Sequence, residues 1–450
     1  MAARLAEQPL SGQKAYSVEY GACEEAICEV THAGAEIARS TLIMMQAAQS
    51  MAFTIVIVDS YQVSKDIGAT PADSGLLVGM FMGGGMVGNA AMTAVLHLFP
   101  NAWQNVRYWL CVCHVFNVLP AVTYLYLLYH LQALGGRALP LLLLCRFCWG
   151  LGSGLAGQLA HVVITQVTPL AELPDQMQRK SFWQSMGMGM GPLAAGMALW
   201  IYDLLPWQFG LEIGASCTSL ILLQLLLGLA ILRCPQSVQQ HEHKPEDAEE
   251  LGHTGSKQMI FLGACYVLSA LRGYCLAGTE VGTALLLEAR YHWSRKEIGL
   301  IIGWVFIATV PARVGYLARK DRFSVVTWIR ILSLSAIVGA TILFSSTFLP
   351  HGMSLILADL IMFPALYLGE GLVRGLMMQS VRSHTSISSN TASFCALQLN
   401  NFSRALAPWC ARYTISTGKG QNLFAVGQLM CCCAFLCVFE LGVQRGLKKA

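Results

Sequence analysis

The stretch that decides the fold is LLLLCRFCWGLGSGLAGQLAHVVITQV at 141–167, followed closely by FWQSMGMGMGPLAAGMALW at 182–200. Two apolar runs of this length, set side by side, do not belong to a soluble domain, because each is long enough to cross the hydrocarbon core of a bilayer. The first carries a single charge, Arg146. A charge in hydrocarbon is costly and is kept to bind, to pair or to move protons. In the second, Gly187, Gly191, Pro192, Ala195 and Gly196 recur along one helix face, where a neighbouring backbone can approach closely. Pro192 removes one helix hydrogen bond and favours a kink.

The rest of the 450 residues agree with this environment. Hydrophobic residues make up 55% and charged residues 12%, about half the charge of an average soluble domain. The 42 glycines suit helices that pack through small side chains. Most of the 16 cysteines fall inside apolar runs and read as small buried hydrophobes rather than a disulfide framework. A net charge of +4 is too small to imply nucleic-acid binding. The first long apolar run starts near Ser40 and continues as a full span, so no cleavable signal peptide is expected.

Apolar runs recur at 40–60, 73–96, 107–130, 138–167, 181–203, 209–232, 258–288, 298–318, 326–347, 352–378, 391–415 and 421–443. The expected fold is an all-α membrane protein with twelve transmembrane helices in two six-helix halves. The boundaries read as a 1–38 polar tail, a 39–233 half, a hydrophilic 234–257 linker, a 258–443 half and a 444–450 basic tail. Placing both termini and the linker in the cytosol gives that side sixteen basic residues, Arg179, Lys180 and Lys320 among them, against six opposite. That bias supports the orientation.

Taken together, the two opening segments resemble the fourth and fifth helices of major facilitator superfamily (MFS) transporters. Arg146-x-x-x-Gly150-x-Gly152 is similar to that superfamily's fourth-helix arginine motif. Gly187-x-x-x-Gly191-Pro192-x-x-Ala195-Gly196 is similar to its fifth-helix "antiporter" motif. Further pieces resemble one branch, the SPX-type vacuolar phosphate transporters and their lysosomal relatives: Thr54 to Val58 with Asp66-Ile67-Gly68, Gly150 to Ser153, Trp293-Ser294 with Ile298-Gly299, and Asp321-Arg322. The 38 residues before the first span are too few for an SPX domain, and Gln158 and His161 stand where the phosphate-transporting branch would carry arginines. What the resemblance implies is an MFS fold with a solute site near the midplane between halves.

Arg146, Arg272, Gln49, Gln158 and Arg404 are the candidates for the solute cavity. Asp59, at the end of the first span, and Glu280, eight residues beyond Arg272 on nearly the same helix face, are candidates for carrying protons. Glu370 and Arg374, at i and i+4, permit a salt bridge that gates or braces the tenth helix, and Gly187, Gly191, Pro192 and Gly196 serve helix packing. A lone His161 reads as packing. No metal, cofactor, nucleotide-binding motif or enzymatic activity is expected. The sequence therefore points to a secondary transporter moving a small polar or anionic solute by alternating access, with proton coupling. A uniporter or channel-like anion pathway and a non-transporting receptor or scaffold are the alternatives. The expected partners are a small-molecule solute, protons and the lipid bilayer, with no obligate protein partner. Vacuolar or lysosomal and plasma membranes remain equally open.

Overall fold

The computed structural model describes residues 34–169, 172–204, 212–238, 256–345, 349, 352–384 and 387–447. The polar tail up to residue 33 and most of the linker, 239–255, lie outside the described residues. Among the described residues twelve long helices are present: α1 Gly34–Asp66, α2 Pro71–Leu98, α3 Val106–Tyr129, α4 Ala138–Val167, α5 Leu173–Leu204, α6 Glu212–Arg233, α7 Ser256–Ala289, α8 Arg295–Arg319, α9 Val325–Ile342, α10 Met353–His384, α11 Ser389–Thr414 and α12 Gly420–Gly442. Local chemistry sets several of their starts. Thr70 and Ser294 close capping boxes with Asp73 and Glu297, Pro71 opens α2, and Ser388 caps α11.

Ten of the twelve are long and apolar enough to cross a membrane by length and composition. The other two are α5 and α11, whose glycines, amides and charges lower their hydropathy. They occupy equivalent positions in the two halves. A membrane helix that affords polarity does so where it faces protein rather than lipid. On the lipid side, α6 exposes Leu222, Leu225, Leu226, Leu229 and Leu232.

Within the first half α2 packs on α4 and α4 on α3; within the second, α7 packs on α11 and α12, and α9 on α10. Between halves, the principal contacts are α2 with α11, α5 with α8, and α5 with α10. Exchanging α1–α6 for α7–α12 converts the α2–α11 contact into α8–α5, the relation expected of a parallel repeat.

Helix α1 starts and α12 ends at what is called here the terminal end of the bundle; α2 starts at the opposite end. Small residues bring the helices together throughout. A Cβ on Gly84 would lie 1.9 Å from the Phe147 carbonyl oxygen, and one on Gly150 1.8 Å from that of Phe81. These two glycines are the seam of α2 and α4. On α5 the small residues serve two faces: Gly187 and Gly191 back onto Ala47, Met51 and Thr54 of α1, while Gly196 meets Lys296 and Leu300 of α8.

The opposite end closes in the same way, where Gly79 of α2 meets Ala405 of α11. A Cβ on Gly79 would stand 2.2 Å from the Ala405 carbonyl oxygen, so Gly79→Val must force the two backbones apart at a cost of about 1–3 kcal/mol. Hydrogen–deuterium exchange is expected to rise in 70–80 and 405–413. Gly263→Val, at a site with nothing within 4 Å, is expected to change nothing. Equal exchange in the two variants would contradict closure by this contact.

Candidate functional site

A polar cavity lies between the halves, lined by Gln46 and Gln49 of α1, Asn89 of α2, Gln184 of α5, Arg374 of α10 and Arg404 of α11, among others. Helical spacing explains part of this set: Gln46 and Gln49 are one turn apart on α1, and Gln46 donates to Gln49 at 2.6 Å. Gln49 in turn donates to the Gly152 carbonyl of α4 at 3.2 Å. The space open to the centre of a water molecule is about 40 Å³, enough for a few waters. A solute of sugar size would need the helices to part.

Arg404 is central to this cavity. It lies over the Phe53 ring of the first half at 5.1 Å, and reaches Glu280 at 3.4 Å and the Tyr367 hydroxyl at 3.3 Å in the second half. Tyr367 donates to the same Glu280 oxygen at 2.9 Å. The second oxygen of Glu280 is buried with no hydrogen-bond partner.

Toward the terminal end, Glu370 gathers Arg272 of α7, Arg374 one turn along its own helix at 2.6 Å, and Ser181 of α5 at 3.3 Å. Ser181 also donates to the Tyr367 carbonyl at 2.9 Å. Nearer the solvent, Asp175 of α5 takes the Lys320 ammonium at 2.7 Å and the Tyr316 hydroxyl at 3.2 Å. The hydrogen bond and charge of Asp175 hold Lys320 above the usual lysine range. On the alkaline side this latch is complete at neutral pH and loosens as pH rises through the raised Lys320 value. Being exposed, it contributes about 0–1 kcal/mol at most.

At the opposite end Asp59 accepts from Ser216 at 2.9 Å and meets Arg295 of α8 at 3.5 Å. Arg412 of α11 donates to Ser60 at 2.9 Å and to Ser74. Lys296 of α8 pairs with Asp203 of α5 at 2.7 Å. Contacts between the halves thus close both ends of the cavity.

Arg272 and Glu280, about 12 Å apart along α7, each find a partner on another helix, Arg272 on α10 and Glu280 on α11. Several expectations change. Arg146 is not a lining residue of the cavity. It is fully buried, donates to the carbonyls of Ala52 at 2.9 Å, Phe53 at 3.1 Å and Leu77 at 3.2 Å, and is stacked near Phe81 and Trp149. Ala52 and Phe53 immediately precede the interruption of α1 at Ile55–Val56, where carbonyls need donors from outside the helix. Gln158 is buried beside the cavity without lining it. Asp59 is not the last residue of α1, which continues to Asp66, and it is buried rather than open to solvent. Sequence reading missed Tyr367, Asn89 and Gln184, uncharged residues with no signal to separate them from packing. It also placed Lys180 in a cytosolic loop, whereas α5 starts eight residues before the predicted span and Lys180 is buried.

The sequence model of the Major Facilitator Superfamily matches residues 41–408. No curated protein sequence matches this chain. Among solved structures, a proton:xylose symporter, XylE, bound to 6-bromo-6-deoxy-D-glucose is similar at 14% identity and TM-score 0.65, over 92% of this chain and 96% of that one. The xylose transporter XylE from E. coli is similar in a partially occluded inward-open conformation at 15% identity and TM-score 0.64 (92% and 99% covered). Its inward-open conformation is similar at 15% identity and TM-score 0.65 (91% and 96% covered). At these identities the likeness is one of fold.

Proposed function

Because this chain belongs to the major facilitator superfamily, we propose that it is a secondary transporter, moving a small polar or anionic solute by alternating access and coupled to protons through Glu280. The observation that carries this reading is the polar cavity between the halves, closed at both ends and bridged by Arg404 to Glu280 and Tyr367. One oxygen of Glu280 is held by Arg404 and Tyr367 while the other has no partner. A proton taken up there cancels the charge that holds Arg404, so the guanidinium turns to the solute. Solute and proton then favour each other's binding through a shared group.

The remaining residues take roles around this exchange. Gln49, with Gln46 and Asn89, offers amides to the solute, and Gln158 stands behind them. Arg272, Glu370 and Arg374 form the gate toward the terminal end. Asp59, with Arg295, forms the gate at the opposite end and is the alternative proton carrier. Gly187, Gly191, Pro192 and Gly196 let α5 slide between α1 and α8, and Arg146 braces α1. On the basic-residue bias, the terminal end faces the cytosol.

A neutral sugar is the second reading, favoured by the amides around the cavity and by the xylose carried by the solved neighbours. Placement in the vacuolar and lysosomal branch rests on the short motifs quoted above. Proteoliposomes loaded with a pH-sensitive dye test the coupling. Across a panel of phosphate, sulfate, mono- and dicarboxylates, pentoses and hexoses, one solute is expected to drive protein-dependent proton movement. Solute uptake with no proton movement would favour a uniporter instead.

A further inference from the structure

One helical turn below the cavity, toward the terminal end, lie two side chains that the transport reading does not use, His161 and Lys180. His161 is four residues past the cavity-lining Gly157 on α4, and Lys180 is four residues before the cavity-lining Gln184 on α5. At that spacing each side chain sits beneath its partner on the same face. His161 lies within range of the charges of both Lys180 and Arg374, and Arg374 itself lines the cavity. Lys180 is 3% exposed and His161 1%. Neither the Lys180 ammonium nor either ring nitrogen of His161 has a hydrogen-bond partner among the described residues, and both polar atoms of Gln158, one turn from His161, are in the same condition.

A buried ammonium with no acceptor and a guanidinium for a neighbour is costly to hold. The adjacent carboxylate does not relieve it, because Glu370 is already taken by Arg272, Arg374 and Ser181. Around the cavity and its floor four basic groups, Lys180, Arg272, Arg374 and Arg404, stand against two carboxylates, Glu280 and Glu370, among the described residues, a surplus on the basic side. Asp359, the next buried carboxylate on α10, is fifteen residues from Arg374, roughly 22 Å along the helix.

We propose that Lys180, Arg374 and His161 form an anion site at the floor of the cavity, where a carboxylate or phosphate group of the solute docks. This proposal rests on the transporter reading and deepens it by naming the solute's class. An anion entering the cavity meets Arg404 and Arg374 and completes its contacts on Lys180, with His161 and Gln158 supplying neutral hydrogen bonds. A compact acceptor with several oxygens suits an ammonium, a guanidinium fork and an imidazole carried by three neighbouring helices. A sugar supplies no charge to offset the surplus.

The test is thermal stabilisation of the purified full-length protein by inorganic phosphate, acetate and succinate, with xylose and choline chloride as controls at matched ionic strength. Phosphate or a carboxylate is expected to raise the melting temperature saturably, and the choice between them identifies the group recognised. Lys180→Met is expected to raise the half-saturating concentration at least tenfold, and Lys180→Arg less. Lys65→Met, which removes an exposed lysine at the opposite end, is expected to match wild type. Should Lys180→Met fail to fold, the wild-type titration still decides: stabilisation by xylose and by none of the anions overturns the proposal, as does unchanged anion affinity in a folded Lys180→Met. Transport of a neutral solute without anion binding would overturn this site and leave the transporter standing. Anion binding with no flux of any solute would support the site and overturn the transporter.

Discussion

Replacing Glu280 with Gln is expected to lower pH-gradient-driven accumulation of solute by about tenfold or more, while solute exchange at equal pH continues. The size follows from the coupling between two ligands that share a group, typically worth about 1–3 kcal/mol, or 5–150-fold. Gln keeps the shape of the side chain and can accept from Arg404 and Tyr367, which hold one Glu280 oxygen at 3.4 and 2.9 Å. It cannot take up a proton. The split between accumulation and exchange separates a coupling role from a structural one, because mere loss of the ion pair would lower both together. Full accumulation in the Gln variant would remove Glu280 from the coupling and transfer the proton to Asp59.

The second large effect is expected at Arg146, and in stability rather than transport. Its guanidinium satisfies three carbonyls, two of them beside the interruption of α1. Arg146→Leu leaves those oxygens without their donor in a dry interior, on the order of 1–3 kcal/mol for each that finds no substitute. An apparent melting temperature lower by about 5 °C or more is expected in detergent, with reduced yield. Arg146→Lys restores one direction of the fork and is expected to fall between. Specific activity per folded molecule is expected to stay within about twofold of wild type in the Lys variant, since Arg146 does not line the cavity. Normal stability with lost transport would return Arg146 to the solute path.

Much of the fold was legible because the bilayer imposes a length. Runs of about 20 apolar residues cannot be read as anything shorter, and the twelve runs match the twelve helices in order. Their ends were less legible. Asp175, Arg179 and Lys180 delayed the predicted start of α5 to 181, although the helix begins at Leu173, with Asp175 and Arg179 half-exposed and Lys180 buried. That shift hid Lys180. The small residues of α5 were readable as a packing face, but not that the helix uses two faces, one for each half.

Charge partners were the least legible part of the site. Within a helix, spacing predicts contact, and Glu370 and Arg374 do meet. Between helices, contact depends on packing that no local pattern records. Arg272 and Glu280 share a face of α7 yet bond to different helices. Arg146 stood out as the lone charge in an apolar run. Its use in satisfying backbone carbonyls became visible only with the interruption of α1 in place.

Alternation of access around one central site is measured most directly by two inter-half distances in the same preparation. Because the chain has 16 cysteines, spin labels are best placed on encoded unnatural residues. One pair replaces the exposed Asp66 and Ser416 at the opposite end, the other the exposed Glu172 and Asp321 at the terminal end. As pH and solute are varied, the distance distributions are predicted to change in opposite senses, one end opening only where the other is closed. Two distances that open together would mark a channel, and two that never change would mark a scaffold; either result would contradict a transporter working by alternating access.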